Sequence, residues 1–311
     1  MKKILIIYYT QTGQLRQIVD SITEPLKDDC QLYFEELRPV PAFPFPWTGM
    51  SFFQAFPESV REIPCQLEAF QNDLTLDYDL VILAYTVWYL SPSIPVSSFL
   101  QSEAAKKLLK GKPVITVLGV RNMWIMAQER VKSMINGAGG KLAGNIVMAD
   151  PAGNLTSVIT IVRWMTTGRK DAFRWMGMNF TAAGVPEEEI MRGGEYGEAI
   201  KIAVHANNFE GLQKELMALR AVKVDPVLFK IEKTGKRMFG IWSKMILRKG
   251  AYNDPAREGR LNGFKYYLFT VIYLISPFVS GLFRLIFFLN PWAARKIISK
   301  YRVCSEKSLS G

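Results

Sequence analysis

Cysteine and histidine are both scarce in this chain of 311 residues, and their scarcity excludes several kinds of site. The three cysteines, Cys30, Cys65 and Cys304, are far apart in sequence and form no C-x-x-C pair. Neither a disulfide framework nor a zinc site is therefore expected, and no metal site is predicted. The single histidine, His205, lies in an apolar helical pattern and is expected on a helix surface. This disfavours hydrolysis through a Ser/His/Asp or Cys/His nucleophile.

The common nucleotide-binding motifs are also missing from the first loop of the chain, which contains neither G-x-G-x-x-G nor Gly-Lys-Ser/Thr. Instead an apolar run over residues 4–9 breaks into Thr10-Gln11-Thr12-Gly13-Gln14-Leu15, and apolar residues follow at helical spacing. This pattern predicts a strand, a tight polar loop and a helix. Backbone N–H groups and hydroxyls at the start of such a helix suit a monoester phosphate. An ordinary strand-to-helix turn is the alternative.

Four further segments have the composition of strands: 31–37, 78–85, 113–119 and 146–149. Two of them are continuous apolar runs, which are typical of strands covered on both faces. Helical patterns lie between them, so we predict an α/β fold with a doubly wound, five-stranded parallel sheet. Ligands of such sheets lie beyond the carboxyl ends of the strands. Three loops are expected to meet there, and they are residues 10–15, 86–91 and 119–124.

Two segments depart from this regular plan. Residues 39–47 contain four prolines interleaved with aromatic residues, which either line an apolar substrate entrance or cap the edge of the sheet. Residues 151–195 are apolar but carry Arg163, Arg169 and Lys170. They either enclose a hydrophobic acid near the site or form an inserted helical pair with solvated charges.

Positive charge is concentrated near the end of the chain. Residues 230–311 hold 16 of the 39 Lys and Arg residues but only 4 of the 28 Asp and Glu residues. We therefore divide the chain into a domain over residues 1–225, with a helical insertion at about 151–195, and a basic, hydrophobic helical tail over residues 226–311.

The tail contains an apolar run, residues 264–289. Ser276-Pro277 and Asn290-Pro291 both resemble helix starts, so we predict three short helices, of which the two apolar ones have about 12 residues each and are too short to cross a bilayer. Apolar helices with basic flanks indicate an anionic membrane surface rather than nucleic acid. The alternative is a subdomain packed on its own protein or on the partner of a homodimer. We expect a cytoplasmic protein that is peripheral on the inner face of the membrane.

The first loop resembles the phosphate loop T-x-T-G-x-T of flavodoxin-like FMN proteins, with Leu15 in place of the last threonine. The second loop resembles the loop that flanks the isoalloxazine ring in flavodoxins and related quinone reductases, with Trp88 or Tyr89 stacking on the ring. The third resembles the loop that contacts the pyrimidine edge. Core packing is the alternative for Trp88 and Trp124. The resemblance implies noncovalent FMN, and the implied cofactor-binding residues are Thr10, Gln11, Thr12, Gly13, Gln14, Leu15, Thr86, Val87, Trp88, Tyr89, Gly119, Val120, Arg121, Asn122 and Trp124.

The start of the chain, the proline-rich aromatic loop, residues 85–95, residues 119–126 and the basic hydrophobic tail together resemble the DarA-type proteins of dialkylresorcinol and flexirubin biosynthesis. This resemblance implies an FMN-dependent aromatase. The expected substrate is a hydrophobic dialkyl cyclohexane-1,3-dione made by a ketosynthase-like condensing enzyme, and the expected product is a dialkylresorcinol.

The candidate catalytic residues are assigned from loop position. Tyr89 and Asn122 are expected near the flavin, and Arg163 or Lys170 is expected to supply a cation for an enolate. Two other functions are compatible with the residues. One is a membrane-associated FMN quinone reductase that uses NAD(P)H, and the other is a non-catalytic electron carrier or a scaffold for the condensing enzyme.

Overall fold

The computed structural model describes residues 1–302, so Cys304 and the last part of the predicted tail, residues 303–311, lie outside the described residues. In chain order the strands are β1 (Lys2–Tyr8), β2 (Cys30–Glu36), β3 (Pro39–Val40), β4 (Gln66–Leu67), β5 (Leu80–Tyr85), β6 (Val87–Trp88), β7 (Ser91–Pro92), β8 (Pro113–Val120), β9 (Lys141–Ala149), β10 (Phe173–Trp175) and β11 (Met178–Phe180). The helices are α1 (Gln14–Thr23), α2 (Ser51–Arg61), α3 (Ile94–Gln101), α4 (Glu103–Leu109), α5 (Ile125–Gly137), α6 (Asn154–Thr167), α7 (Glu187–Met191), α8 (Gly193–His205), α9 (Leu212–Ala218), α10 (Pro226–Leu247), α11 (Glu258–Thr270), α12 (Ser276–Leu289) and α13 (Pro291–Arg302).

Five of these strands form one parallel sheet in the order β2-β1-β5-β8-β9. Each runs through an α-helical crossover to the next, and the order reverses at β1, which is the doubly wound arrangement of flavodoxin. The fold is flavodoxin-like. The predicted sheet is confirmed, although β9 begins at Lys141, five residues before the predicted start.

Helices cover both faces of the sheet. The core on one face is built with α1, α8 and α9, and includes Leu15, Ile18 and Leu216. The core on the other face is built with α3 and α5, and the start of α10 also reaches it through Phe229. Because both faces are covered, β5 is apolar throughout and β1 is apolar after its first two residues, Lys2 and Lys3, as their sequences predict.

The insertion after β9 is not purely helical, so the alternative of an inserted helical pair is wrong for the stretch between α6 and α7. Helix α6 is followed by an antiparallel hairpin in which Phe173 pairs with Phe180 and Trp175 pairs with Met178. Met176 and Gly177 form its turn, with φ angles of 49° and 77°. Two successive positive φ angles define a two-residue hairpin turn, and the glycine makes the second one favourable.

The predicted break at Ser276-Pro277 is also wrong. A helix runs without interruption over Pro255–Leu289, because a π-helical turn at Val271–Ile275 widens the backbone before Pro277 and accommodates a residue that has no N–H group. The second predicted start, at Asn290-Pro291, is confirmed, since Asn290 accepts a hydrogen bond from the N–H of Ala293 at 3.2 Å at the start of α13.

Within the described residues, this one helix is long and apolar enough to cross a membrane, with 35 residues and a mean hydropathy of 2.0 in its most apolar stretch. Only 6% of that stretch is buried. Length and composition alone are weak evidence for a membrane span. The length of this helix does contradict the argument that the tail cannot cross a bilayer because its apolar helices are too short.

The tail is packed firmly against the rest of the chain. Arg257, which is fully buried, donates hydrogen bonds of 2.8 and 3.0 Å to the carboxylate of Glu58 on α2. Phe264 stacks on Phe56 with their ring centres 3.6 Å apart. Helix α2 belongs to the sheet domain, because it precedes β5 in the chain. The tail, which packs on α2, therefore shares a core with the sheet domain, although the sequence suggests two units.

Candidate functional site

The carboxyl ends of the parallel strands lie at one edge of the sheet, so the loops that follow them meet there. Residues 10–13 follow β1, Thr86 follows β5, residues 121–124 follow β8, and Asp150 follows β9. The first three loops are the predicted ones. Asp150 and the residues after it form a fourth loop at the same edge. The sequence interpretation assigns no role to this loop.

The first loop folds on itself around Gly13, at the start of α1. The hydroxyl oxygen of Thr10 accepts a hydrogen bond from the N–H of Gly13 at 3.1 Å, and that of Thr12 accepts one from the N–H of Gln14 at 3.4 Å. Gly13 has a φ of 82°, and a Cβ atom added there would meet no atom within 4 Å. The first turn of α1 carries no acidic residue. The loop therefore offers hydroxyl protons, open space and the positive end of a helix dipole to an anion.

The two glutamine side chains of this loop connect it to distant segments. Gln14 is buried and exchanges two hydrogen bonds of 3.0 Å with the backbone of Val185. Gln11 donates to the carbonyl of Pro44 at 2.9 Å and accepts from the indole N–H of Trp47 at 3.2 Å. Thus Gln11 and Gln14 hold the loop in place through their side chains. Leu15, which replaces the last threonine of the motif, is buried in the core.

The second loop places Trp88 inside an aromatic cluster rather than on an open face. Its ring contacts the rings of Tyr9, Phe43 and Trp47 edge to face, with centres 5.8, 5.0 and 5.6 Å apart. The proline-rich loop thus packs over the end of β1 and β5, in keeping with the sheet-capping alternative. Trp124 is also buried in the core. Core packing accounts for both tryptophans, and their contact with a flavin stays a prediction.

Tyr89 points away from this edge. Its hydroxyl donates to the carbonyl of Phe52 at 2.7 Å, and its ring lies among Phe52, Phe56 and Phe264. Burial holds the pKa of this phenol well above its usual value. The structure therefore gives Tyr89 a packing role between α2 and the tail, and does not bring it together with Asn122.

The third loop is held by the start of α6. Arg121 donates hydrogen bonds of 2.9 to 3.0 Å to the side chain and carbonyl of Asn154 and to the hydroxyl of Ser157, and Asn122 donates to Asn154 at 3.1 Å. Burial lowers the pKa of Arg121 to about 10, and the nearby Asp150 carboxylate opposes this shift, so the guanidinium remains charged at neutral pH. Arg121 forms no ion pair with the described residues, and its direct partners are neutral.

Two buried oxygens at this edge lack a hydrogen-bond partner among the described residues. They are the hydroxyl of Thr86 and the side-chain oxygen of Asn122. An unsatisfied buried polar atom costs about 1 to 3 kcal/mol, so native proteins rarely retain one without a reason. Both atoms belong to predicted cofactor-binding residues on adjacent loops. These two oxygens can accept hydrogen bonds from a ligand or from water, and the cation of Arg121 lies on the same loop as Asn122.

The fourth loop borders an open cavity of about 510 Å³. Its lining includes Asp150, Lys170 and residues 181–187, and it adjoins the first loop through the bonds between Gln14 and Val185. Cavities that hold small ligands have volumes of about 300 to 1,000 Å³. Of the two predicted cations, Lys170 lies at this cavity. Arg163 is bound instead to the side chain and carbonyl of Asp171, at 3.0 and 2.8 Å.

The sequence interpretation missed Asp150, Asn154, Ser157 and Glu232. Asp150 and Asn154 had a usable signal, because both follow the apolar strand β9 and lie in or just after a loop at the carboxyl edge. Glu232 could not be found in this way, since it belongs to α10, a helix of 22 residues that the prediction of three short tail helices omits. Asp225-Pro226 was the available signal for that helix, and the Asp225 side chain caps it.

Some solved structures are similar to this chain. No family model matches the chain, and no curated protein matches it. Among solved structures, a flavoprotein in complex with FMN from Lactobacillus acidophilus NCFM is 17% identical with a TM-score of 0.40, and the match covers 47% of this chain and 93% of that chain. A Fusobacterium nucleatum flavodoxin bound to flavin mononucleotide is 15% identical with a TM-score of 0.33, covering 65% and 98%. At these values the likeness carries no argument, so the fold assignment rests on the strand order.

Glu232 links the tail to the third loop. It is buried on α10, and its carboxylate accepts a hydrogen bond of 2.7 Å from the N–H of Met126, in the first turn of α5 directly after the loop. Burial raises the pKa of Glu232 to about 7, against the lowering effects of the backbone hydrogen bonds and of Lys236. Tyr85 and Tyr301 are the other titratable groups that it influences.

We predict that Glu232→Gln flattens the dependence of stability on pH. An unfolded glutamate loses its proton near pH 4.5, whereas the folded one keeps it to about pH 7. Between these values the folded chain binds more protons, so raising the pH favours unfolding. The wild type should lose up to about 3 kcal/mol of unfolding free energy between about pH 5 and pH 8 that the variant does not lose. Urea unfolding at several pH values measures this, with the exposed Glu198→Gln as control. Parallel curves for wild type and Glu232→Gln would contradict it.

Proposed function

We propose that the protein binds FMN at the carboxyl edge of the sheet and oxidises a small hydrophobic substrate there. The observation that carries the proposal is the pair of buried oxygens of Thr86 and Asn122 that lack a partner among the described residues, with the cation of Arg121 on the same loop as Asn122, beside a first loop suited to an anion. Flavodoxin-like sheets bind FMN at this switch point.

The residues present fit this cofactor. Thr10, Thr12 and the N-terminus of α1 would hold the phosphate, while Thr86 and Asn122 would receive hydrogen bonds from polar atoms of the ring system. The cation of Arg121 would stand beside the electron-rich end of the ring, where positive charge favours reduction. Bound FMN supplies the acceptor for a hydride and thus permits a two-electron oxidation.

The proposed reaction is the aromatisation of a dialkyl cyclohexane-1,3-dione to a dialkylresorcinol. Overall the substrate would lose one proton to water and one hydride to the flavin, and two further carbon-bound hydrogens would move to the carbonyl oxygens by enolisation, so that four C–H bonds break as the two phenol groups form. The C–H bonds between the carbonyls of a 1,3-dione are acidic, so the protein needs only to stabilise an enolate and hold the ring in place. Lys170, which lies at the cavity beside the first loop, suits the enolate oxygen. A ketosynthase-like condensing enzyme would supply the dione.

The tail supports a substrate taken from a membrane. Exposed apolar residues run along α11 and α12, and Phe278 and Phe288 are among the most exposed side chains of the protein. Basic residues flank them, including Lys265, Arg295 and Lys296. We propose attachment to an anionic membrane surface without crossing, since α13 returns to the protein and packs Ile297, Ile298 and Tyr301 against the core of the sheet domain. A helix that crossed the bilayer would leave α13 on the opposite side.

We predict that Gly13→Asp binds FMN at least about tenfold more weakly than Gly13→Asn. The two side chains have the same size, both tolerate a positive φ, and the space around Gly13 is open. They differ only in charge, and two like charges about 4 Å apart repel by about 1 to 4 kcal/mol near a protein surface. Flavin fluorescence titration of the apoprotein measures the affinities. Equal affinities would show that the phosphate does not bind at the first loop. A wild type that binds no FMN would refute the proposal that FMN is the cofactor.

We predict that the dione alone reduces the enzyme-bound flavin. In an anaerobic single turnover, the absorbance of oxidised FMN should fall on addition of a dialkyl cyclohexane-1,3-dione, and a resorcinol lighter by two hydrogens should appear by mass spectrometry. Lys170→Met should slow this step, while Lys107→Met on α4, which is exposed and remote from the cavity, should not. Bleaching by NADPH but not by the dione would instead indicate a quinone reductase.

We predict that Phe278→Glu weakens binding to anionic vesicles by at least about tenfold. The side chain is 81% exposed on α12 in the protein, so it is free to enter lipid. Replacing this aromatic side chain by a carboxylate would remove about 1.5 to 3 kcal/mol of binding free energy and add repulsion from the anionic lipid. Ile202→Glu on α8, at a site that is 70% exposed, is the matched control and should bind as the wild type does. Co-sedimentation of the full chain at low salt measures both. A wild type that ignores anionic vesicles would refute membrane attachment.

A further inference from the structure

The hairpin of β10 and β11 ends in an apolar tip, residues 175–178, that the fold does not explain. Trp175, Met176 and Met178 are 51%, 76% and 54% exposed. Surface hairpin turns are normally polar, and a turn with two positive φ angles favours asparagine before glycine. Here a methionine occupies the first of these positions, with a φ of 49°. A residue with a Cβ atom is destabilised by about 1 to 2 kcal/mol in this conformation, so the methionine lowers the free energy of unfolding of the hairpin.

The base of the hairpin is held rigidly, so the exposed tip is not the result of a loosely packed segment. Phe173 stacks on Phe180 with ring centres 4.9 Å apart, and Phe180 is buried. The guanidinium of Arg163 on α6 lies 4.5 Å from the centre of the Phe173 ring. The fold thus anchors one end of the hairpin and projects the apolar residues into solvent.

Positive charge surrounds the tip. Residues 163–180 contain four basic residues, Arg163, Arg169, Lys170 and Arg174, and one acidic residue, Asp171. Asp171 is already shared between Arg163 and Arg169. Lys170 and Arg174 are exposed and form no ion pair with any residue in the part of the chain that the structure describes. An aromatic and methionine tip beside the uncompensated cation of Arg174 is complementary to an anionic lipid surface, where the charge meets headgroups and the apolar side chains enter the acyl boundary.

The hairpin is also connected to the apolar helix of the tail. The helix that precedes the hairpin, α6, holds Arg121 through Asn154 and Ser157, and Tyr273 of the tail lies close enough to Arg121 to influence its charge. Leu155 and Val162 add exposed apolar surface along α6 between these two points. Exposed apolar surface is therefore present on α6 as well as on the hairpin and the tail.

We propose that the hairpin tip is a second contact with the anionic bilayer, so that the protein rests on the membrane at the tail and at residues 175–178, with the cavity between them. This inference rests on the proposed membrane attachment of the tail. Two contacts on one rigid body multiply their effects on affinity, because the first contact fixes the position of the second.

The test is Met176→Asn against Met191→Asn in the full chain, by co-sedimentation with phosphatidylglycerol vesicles at low salt. Both methionines are 76% exposed, and Met191 lies on α7, away from the tip. The change at Met176 creates Asn-Gly, the preferred sequence for this turn, so the hairpin should fold at least as well. Neither substitution alters charge. We expect Met176→Asn to weaken partitioning about tenfold and Met191→Asn to leave it within about twofold.

Two further measurements separate a lipid contact from other roles. Trp175→Phe should remove a measurable part of the tryptophan quenching caused by brominated phospholipids. Arg174→Gln should weaken binding about fivefold on anionic vesicles and leave binding to phosphatidylcholine vesicles unchanged, since each basic residue near an anionic surface contributes on the order of 1 kcal/mol.

The proposal would be overturned if Met176→Asn partitioned like the wild type while Phe278→Glu did not, which would leave the tail as the membrane contact. It would also be overturned if Met176→Asn converted a dimer to a monomer and left partitioning unchanged, which would make the tip a subunit interface. A wild type that does not bind anionic vesicles would overturn both the tail attachment and the hairpin contact.

Discussion

The parallel pairing of five strands is the constraint on which the rest of this protein depends. It brings the ends of β1, β5, β8 and β9 to one edge, although the residues that follow them are separated by up to 140 positions in the sequence. The hydrogen bonds of Arg121 and Asn122 with Asn154, and those of Gln14 with Val185, then connect neighbouring loops. Because no single loop holds a complete site, the candidate site exists only when the whole sheet is formed.

The tail is part of this arrangement through buried charge. A buried ion pair such as Arg257 with Glu58 adds little net stability, but loss of one partner leaves an uncompensated charge and costs about 3 to 5 kcal/mol. A second cation, Lys236, is partly buried and donates to two neutral groups beside the second loop, the carbonyl of Leu90 and the hydroxyl of Ser91. Burial lowers the pKa of Lys236. These contacts fix the register of the tail on the sheet domain, so the tail behaves as part of one unit.

The sequence was sufficient for the sheet, the three predicted loops and the start of α13, because each depends on local pattern: continuous apolar runs, a polar break after a strand, and a capping residue before proline. It was insufficient where packing decides. Tyr89 is adjacent to Trp88 in sequence, yet two positive φ angles, at Tyr89 and Leu90, turn its side chain toward the tail. Pro277 signals a helix start, but a π turn before it lets the helix continue. Neither the backbone conformation of a loop nor a widened helical turn can be predicted from the spacing of apolar residues.

The uninterrupted helix of the tail changes the reason for the proposed peripheral attachment, although the proposal itself stays the same. Short helices were expected to be unable to span a bilayer, but the observed helix is long enough to do so. What opposes crossing is the return of α13, whose Tyr301 packs against Phe229 of α10 with ring centres 4.6 Å apart. Phe264, near the other end of the helix, is buried against Phe56. Since both ends are bound to the same body, the apolar surface between them would meet the proposed membrane only from the side.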